Sequence, residues 1–126
     1  MPAEYRIDPA ERMVYNRGWG VFTDDDLAAG RAAMSADPTF HPEFDQLYDF
    51  TEVTDLRVSS RTLRELAATS PFATTARRAV VVSSEAAFGL ARMYAIMAMR
   101  EDLIQVFRDR ESAMLWLKST RERLGR

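Results

Sequence analysis

The sequence has 126 residues, of which 47% are hydrophobic and 29% are charged, and its formal net charge is -2. This composition is typical of one globular domain and excludes disordered, collagen-like and coiled-coil chains. Cysteine is absent, which excludes disulfide scaffolds and thiolate metal sites. Because His41 is the one histidine, a serine-histidine-aspartate triad and a multi-histidine metal site are also disfavoured.

Charge is divided unevenly along the chain. Residues 1–60 hold 5 basic and 12 acidic side chains, whereas residues 61–126 hold 12 basic and 7 acidic ones. Either the two halves interleave and their charges cancel, or the second half forms a basic face for an acidic partner or an anionic membrane. The overall balance gives no reason to expect nucleic acid. With no signal-peptide pattern and no apolar run long enough for a membrane span, the sequence predicts a cytoplasmic protein.

The first elements are two strands and a helix. Alternating side chains predict strands at residues 4–8 and 13–17, joined as a hairpin. Thr23 begins a helix that ends near Ala36, because a threonine side chain caps free backbone amides. The three aspartates that follow Thr23 favour the positive end of the helix dipole, so we interpret them as capping residues and not as a metal site. Residues 46–50 form an apolar run typical of a buried strand.

Further along the chain, helices alternate with strands. Ser59 or Ser60 caps a helix that Ser70 and the following proline end. The strand at 77–83 contains the run 79–82, which is apolar on both faces, as in a parallel sheet covered on both sides. The remaining elements are a helix at 85–99, a strand at 103–107 and a helix at 110–124. The order β-β-α-β-α-β-α-β-α predicts a single α/β domain with a mixed, mostly parallel five-stranded sheet and four helices.

The helix predicted at residues 85–99 is the most informative element, because it has almost no polar face. Arg92 is the only charged residue between Glu85 and Arg100. Contact with one sheet needs one apolar stripe, so the surplus apolar side chains are buried in the core, by a partner chain or around a ligand. The methionines in this helix suit an adaptable surface. The candidate ligand or interface residues are Phe88, Arg92, Met93, Tyr94 and Met97.

Four stretches of the sequence carry a recognisable pattern. They are Gly-Trp-Gly at 18–20 with Thr23, residues 47–56, the run Ala-Phe-Gly-Leu-Ala-Arg-Met-Tyr at 87–94, and residues 106–113 with Trp116 and Leu117. Together they resemble a bacterial family of SpoIIAA-like, or STAS-like, proteins over nearly the whole chain. The resemblance implies a STAS-like or CRAL-TRIO-like fold and does not imply an enzyme. It also implies either signalling through protein contacts or binding of an apolar small molecule.

The resemblance also concerns Ser59. Anti-sigma-factor antagonists with this fold carry Asp-Ser-Ser-Gly at a helix start, where one serine is the phosphorylation switch. The matching stretch here is Arg-Val-Ser-Ser at 57–60, so Ser59 occupies the modified position but the flanking residues differ. From the residues alone, a helix cap explains Ser59, and a phosphate held by Arg57 or Arg61 is the alternative. We expect no stoichiometric phosphate on Ser59.

The other polar groups favour structural roles. His41 lies between Phe40 and Pro42, which is typical of a packing residue and not of a general base. Arg77 and Arg78 precede a buried strand and are interpreted as a solvated pair in a loop. The sequence contains no glycine-rich phosphate-binding pattern, so nucleotide chemistry is unsupported.

These observations predict that residues 1–126 form one STAS-like domain that is not an enzyme. We expect no catalytic residue, metal or cofactor. We expect the protein to act through protein-protein contacts, as a homodimer or with another protein partner. A regulatory role is one function of this kind. The alternative is a carrier or sensor of an apolar small molecule or lipid, in a cavity beside the 85–99 helix. A hydrolase is disfavoured because no nucleophile-base pair is visible in the sequence.

Overall fold

The computed structural model describes residues 2–123 of the chain. The strands are β1 (Ala3–Asp8), β2 (Met13–Thr23), β3 (Asp45–Arg57), β4 (Arg78–Val81) and β5 (Ile104–Phe107). The helices are α1 (Asp24–Ala36), α2 (Ser60–Ala68), α3 (Glu85–Met97) and α4 (Arg110–Arg123). This is the element order that the sequence predicts. The predicted end of the last helix, at residue 124, lies outside the described residues.

All five strands form one sheet in the order β1-β2-β3-β4-β5. β1 pairs antiparallel with β2 as the predicted hairpin. The pairs β2-β3, β3-β4 and β4-β5 are parallel, so α1, α2 and α3 are crossover connections between neighbouring strands. The fold is therefore α/β with a mixed, mostly parallel sheet, as predicted.

The two faces of the sheet are covered by different helices. Side chains alternate along a strand, so neighbouring residues such as Val80 and Val81 point to opposite faces. The α4 face is covered by α4, and its buried core consists of Met13, Leu47, Ala79, Val81, Ala113 and Leu117. The three-helix face carries Val14, Gln46, Tyr48, Val80 and Val82, and it lies beneath α1, α2 and α3. The same strands thus contribute side chains to two separate hydrophobic cores, one on each face of the sheet.

β2 and β3 are longer than the sequence predicts. β2 was expected to end at residue 17, but it continues through the Gly-Trp-Gly stretch to Thr23, paired with a β3 that reaches Arg57. Two register shifts accommodate this stretch. Gly20 takes a φ of 64°, which favours glycine, and a Cβ at Gly18 would lie 2.7 Å from the Phe22 ring. The two glycines therefore allow irregular pairing within β2, and the strand continues past them.

The start of α1 confirms the predicted cap at Thr23, and of the three aspartates Asp26 takes part in it. The Thr23 hydroxyl accepts a hydrogen bond from the Asp26 amide at 3.3 Å, and the Asp26 carboxylate accepts one from the Thr23 amide at 2.9 Å. The Asp24 carboxylate points elsewhere and accepts two hydrogen bonds from Ser59. Over residues 2–123, the acidic and histidine side chains form no group suited to a metal ion.

α3 ends at Met97, two residues before the predicted end. Met99 has a φ of 56°, outside the helical region, and the chain turns there. In the described part of the chain, none of the helices has both the length and the apolar character that a membrane crossing requires.

Candidate functional site

A cavity of about 90 Å³ lies between the three-helix face of the sheet and helices α1, α2 and α3. Most of its walls are apolar, and these walls include Leu27, Met34, Phe50, Leu63, Leu66, Val80, Val82, Leu90 and Ala91. One water needs roughly 10–15 Å³ of such space, so the cavity holds roughly six to nine water-sized groups. The cavity lies beside α3. This is the helix beside which the sequence predicts a cavity if the protein carries or senses an apolar molecule.

Helical spacing explains which side chains reach the cavity. Leu27, Arg31 and Met34 follow each other at intervals of three or four residues and share one side of α1. The stripe of α3 that lines the cavity has the same spacing and consists of Ala87, Leu90, Ala91 and Tyr94. α1 and α3 thus each contribute one mainly apolar stripe that includes a single polar side chain, Arg31 on α1 and Tyr94 on α3.

Arg31, Arg78 and Tyr94 meet in one wall of the cavity, and we call them the arginine–tyrosine cluster. Arg31 Nη2 donates to the Tyr94 hydroxyl at 2.9 Å, and Arg78 Nη1 donates to the same oxygen at 3.0 Å. Arg31 Nη1 also donates to the backbone carbonyl of Leu66 at 2.5 Å. One phenol oxygen therefore joins cations from α1 and β4 to α3.

Polar side chains of the sheet hold Arg78 in place. Its Nε donates to Gln46 Oε1 at 2.9 Å, and Gln46 Nε2 in turn donates to Asn16 Oδ1 at 2.7 Å. The guanidinium also lies over the Phe72 ring, 4.5 Å from its centroid. Arg78 and Phe72 line a second recess of about 190 Å³ as well, which includes Ser70 and Arg100. The Arg78 side chain is thus fixed by neutral partners.

Burial and charge shift the ionisation of the cluster. Burial alone would raise the pKa of Tyr94, but the charges of Arg78 and Arg31 and their hydrogen bonds lower it below its usual value. Desolvation, together with the charge of Arg78, lowers the pKa of Arg31. Burial raises the pKa of Tyr48, which lines the same cavity, well above its ordinary value. The cavity therefore contains two tyrosines whose pKa values move in opposite directions.

Of the residues predicted on α3, only Tyr94 lines the cavity. Phe88 is half-buried, with the Arg108 guanidinium 4.4 Å from its ring centroid. Arg92 and Met93 are exposed and Met97 is half-buried. The other four residues do not contribute to the cavity, and their assignment to an interface stays a prediction.

The sequence interpretation of Arg78 was wrong. It was assigned to a solvated loop, but it lies in β4, half-buried and in the cavity wall. Strand alternation could have revealed this, because Arg78, Val80 and Val82 have the same parity and share a face. Arg31 was not selected as a site residue from the sequence. Its role depends on contacts with α3, which the local pattern does not contain.

Ser59 and His41 lie outside the cavity lining, and each has a local partner. Ser59 caps α2, since its hydroxyl accepts from the Thr62 amide at 3.2 Å and donates to an Asp24 carboxylate oxygen at 2.9 Å. His41 is exposed in a loop, accepts a hydrogen bond from the Glu43 amide at 3.1 Å and packs against the Phe44 ring. The cap predicted at Ser59 is thus confirmed.

Comparison with known proteins identifies the fold. No protein-family model and no curated protein matches the sequence. Among solved structures, the chain is similar to an uncharacterized protein from the DUF3478 family with a SpoIIAA-like fold, from Shewanella loihica PV-4. The two chains are 20% identical and superimpose with a TM-score of 0.57, over 91% of this chain and 93% of that chain. The protein therefore has a SpoIIAA-like fold, the fold that its sequence resemblance indicated.

Proposed function

We propose that this protein is a non-enzymatic module that carries or senses an apolar small molecule in the cavity beside α3. The observation that supports the proposal is the cavity itself, with apolar walls on all three covering helices and on the sheet. An apolar ligand gains about 25 cal/mol for each Å² that it removes from water. Apolar pockets with a few convergent polar groups are also the usual form of small-molecule sites.

The chemistry of the lining favours binding over catalysis. The described residues that line the cavity include no serine, cysteine, histidine, aspartate or glutamate. These are the usual nucleophiles and general bases of hydrolytic enzymes. The polar groups present, chiefly guanidinium, amide and phenol groups, are suited to orienting a ligand.

A cavity-filling variant tests this proposal. Ala91 lines the cavity, whereas Ala86 lies on the same helix and is exposed. We expect hexan-1-ol to shift the amide NMR signals of α3 and β4 in the wild-type protein and in Ala86→Phe. In Ala91→Phe the new ring occupies the cavity, so hexan-1-ol affinity should fall at least tenfold. Wild-type protein that shows no shifts, or an Ala91→Phe variant that binds as well as Ala86→Phe, would contradict the proposal.

A second function, self-association, is favoured by the outer side of α3. Met93 is 37% exposed, Ile96 is 53% exposed, and Met99 just beyond the helix is 79% exposed. Adjacent exposed apolar side chains of this kind often mark a protein contact. We propose a second copy of the chain as the partner, so that two α3 helices cover each other.

Sedimentation equilibrium distinguishes self-association from simple exposure. Ile96→Glu should convert a dimer to a monomer, because it places a charge in the contact. Leu115→Glu is the matched control, since Leu115 is equally an exposed apolar residue but lies on α4. A wild-type protein that sediments as a monomer would exclude the homodimer.

A further inference from the structure

The arginine–tyrosine cluster contains two cations and no matching anion. Arg31 and Arg78 form no ion pair with any carboxylate among the described residues; their partners are Leu66, Gln46, Ser70 and Tyr94. Charged groups that leave water are normally paired, because an unpaired charge loses its hydration without compensation. The two guanidinium groups also repel each other, because both are cations and both lie within hydrogen-bond distance of the Tyr94 hydroxyl. This wall of the cavity thus carries positive charge that no described carboxylate pairs with.

Donor groups of the cluster remain available to a ligand. The Tyr94 oxygen accepts from both arginines, and its own O–H donates to no described residue. Arg78 Nη2 likewise donates to no described residue, although Nε and Nη1 of the same guanidinium do. A planar anion with two oxygens fits this arrangement, because it accepts several N–H and O–H hydrogen bonds at once.

We propose that the ligand of this cavity is a small apolar acid whose carboxylate binds Arg31, Arg78 and Tyr94. The inference rests on the proposed binding function and names its ligand class. The carboxylate supplies the missing negative charge, and the hydrocarbon part lies against Leu63, Leu90 and the other apolar walls. A phosphate ester is a poorer match, since a bulkier and more strongly hydrated group must enter a cavity of about 90 Å³.

A pair of probes with the same hydrocarbon chain tests the charge requirement. Hexanoate and hexan-1-ol are titrated into the wild-type protein by calorimetry or NMR. Hexanoate should bind at least about tenfold more tightly, because charge-assisted hydrogen bonds are about twice as strong as neutral ones. Equal affinities would overturn the carboxylate assignment and leave the proposed binding function standing. Failure of both probes to bind would overturn both.

Arginine variants test whether Arg31 causes the preference for hexanoate over hexan-1-ol. Arg31→Met should reduce hexanoate affinity at least tenfold and change hexan-1-ol affinity by less than twofold, whereas Arg31→Lys should retain part of the preference. Arg64→Met is the control, because Arg64 is exposed on α2 and lies outside the cavity lining. An Arg31→Met protein that keeps the full preference for hexanoate would overturn the proposal. Tighter binding of hexyl phosphate than of hexanoate would also overturn it.

Discussion

The two faces of the sheet differ in what they bury. On the α4 face, Leu47, Ala79 and Val81 pack against Ala113 and Leu117, and all five side chains are almost fully buried. On the three-helix face, the strands present amide, phenol and guanidinium groups beside a cavity. The strands are the same, and alternation alone separates the two environments.

This difference separates stability from binding within one small sheet. The α4 face is filled by side chains, so any change in volume or charge there acts on the folded state. The three-helix face leaves space, so changes there should act more on what enters the cavity. The first two predictions below test this division, and those that follow concern the three-helix face.

The largest difference is expected when neighbouring valines of β4 receive the same charge. Val81→Asp places a carboxylate in the α4 core, and it should cost more than about 4 kcal/mol and prevent folding. Val80→Asp faces the cavity that Arg31 and Arg78 also line, so it should cost clearly less. Urea denaturation of both proteins measures the difference, and equal losses would remove the distinction between the faces.

Leucine-to-alanine substitutions compare the stability of the two faces with a smaller perturbation than a buried charge. Leu117→Ala should cost about 2–5 kcal/mol, because it leaves a void in a packed core. Leu90→Ala enlarges an existing cavity, so it should cost less and should alter hexan-1-ol affinity. Leu117→Ala should leave that affinity unchanged in the protein that remains folded. A larger loss of stability for Leu90→Ala than for Leu117→Ala would contradict this.

A smaller effect is expected at the cap of α2, which covers the cavity. Ser59→Ala removes the hydrogen bond that the hydroxyl accepts from the Thr62 amide and the one that it donates to Asp24, and should cost about 1 kcal/mol. The nearby Asp24 carboxylate also disfavours a phosphate on Ser59, because the two negative charges repel each other. Intact-mass analysis of the native protein should show no phosphorylated species, and a dominant species with a phosphate at Ser59 would refute this.

The smallest effects appear only at alkaline pH. The pKa of Tyr48 is raised by burial, so the unfolded state loses this proton first and stability falls as the pH rises through about 10. Tyr48→Phe should remove this loss, which is less than about 1 kcal/mol at about pH 10.5.

Tyr94 should behave in the opposite way. Although burial raises its pKa, the two arginines lower it overall, so the folded state loses this proton first. The resulting stability grows as the pH rises through the folded pKa and is fully present above the unfolded value. Tyr94→Phe should therefore remove a gain in stability. Urea denaturation of both variants from neutral to alkaline pH checks the two signs, and a common sign would contradict the assignment.

The sequence was sufficient for the element order and for the covering helices, because these depend on local periodicity. Thr23 and Ser59 each cap the helix that follows them, as the sequence indicates. The continuation of β2 past Gly18 was missed, since its glycines also fit a turn and the pairing partner, the second half of β3, is distant in the chain. The arginine–tyrosine cluster was missed for the same reason, because three separate elements assemble it.

The placement of the three crossover helices on one face has a consequence for synthesis of the chain. A ribosome makes β1 to β5 and α1 to α3 before α4 appears. Until then, Met13, Leu47 and Val81 have no covering helix and remain exposed to water or to other nascent chains. We therefore expect stable folding to wait until Leu117 has left the exit tunnel, and we expect the uncovered apolar sheet surface to be a binding site for chaperones during that interval.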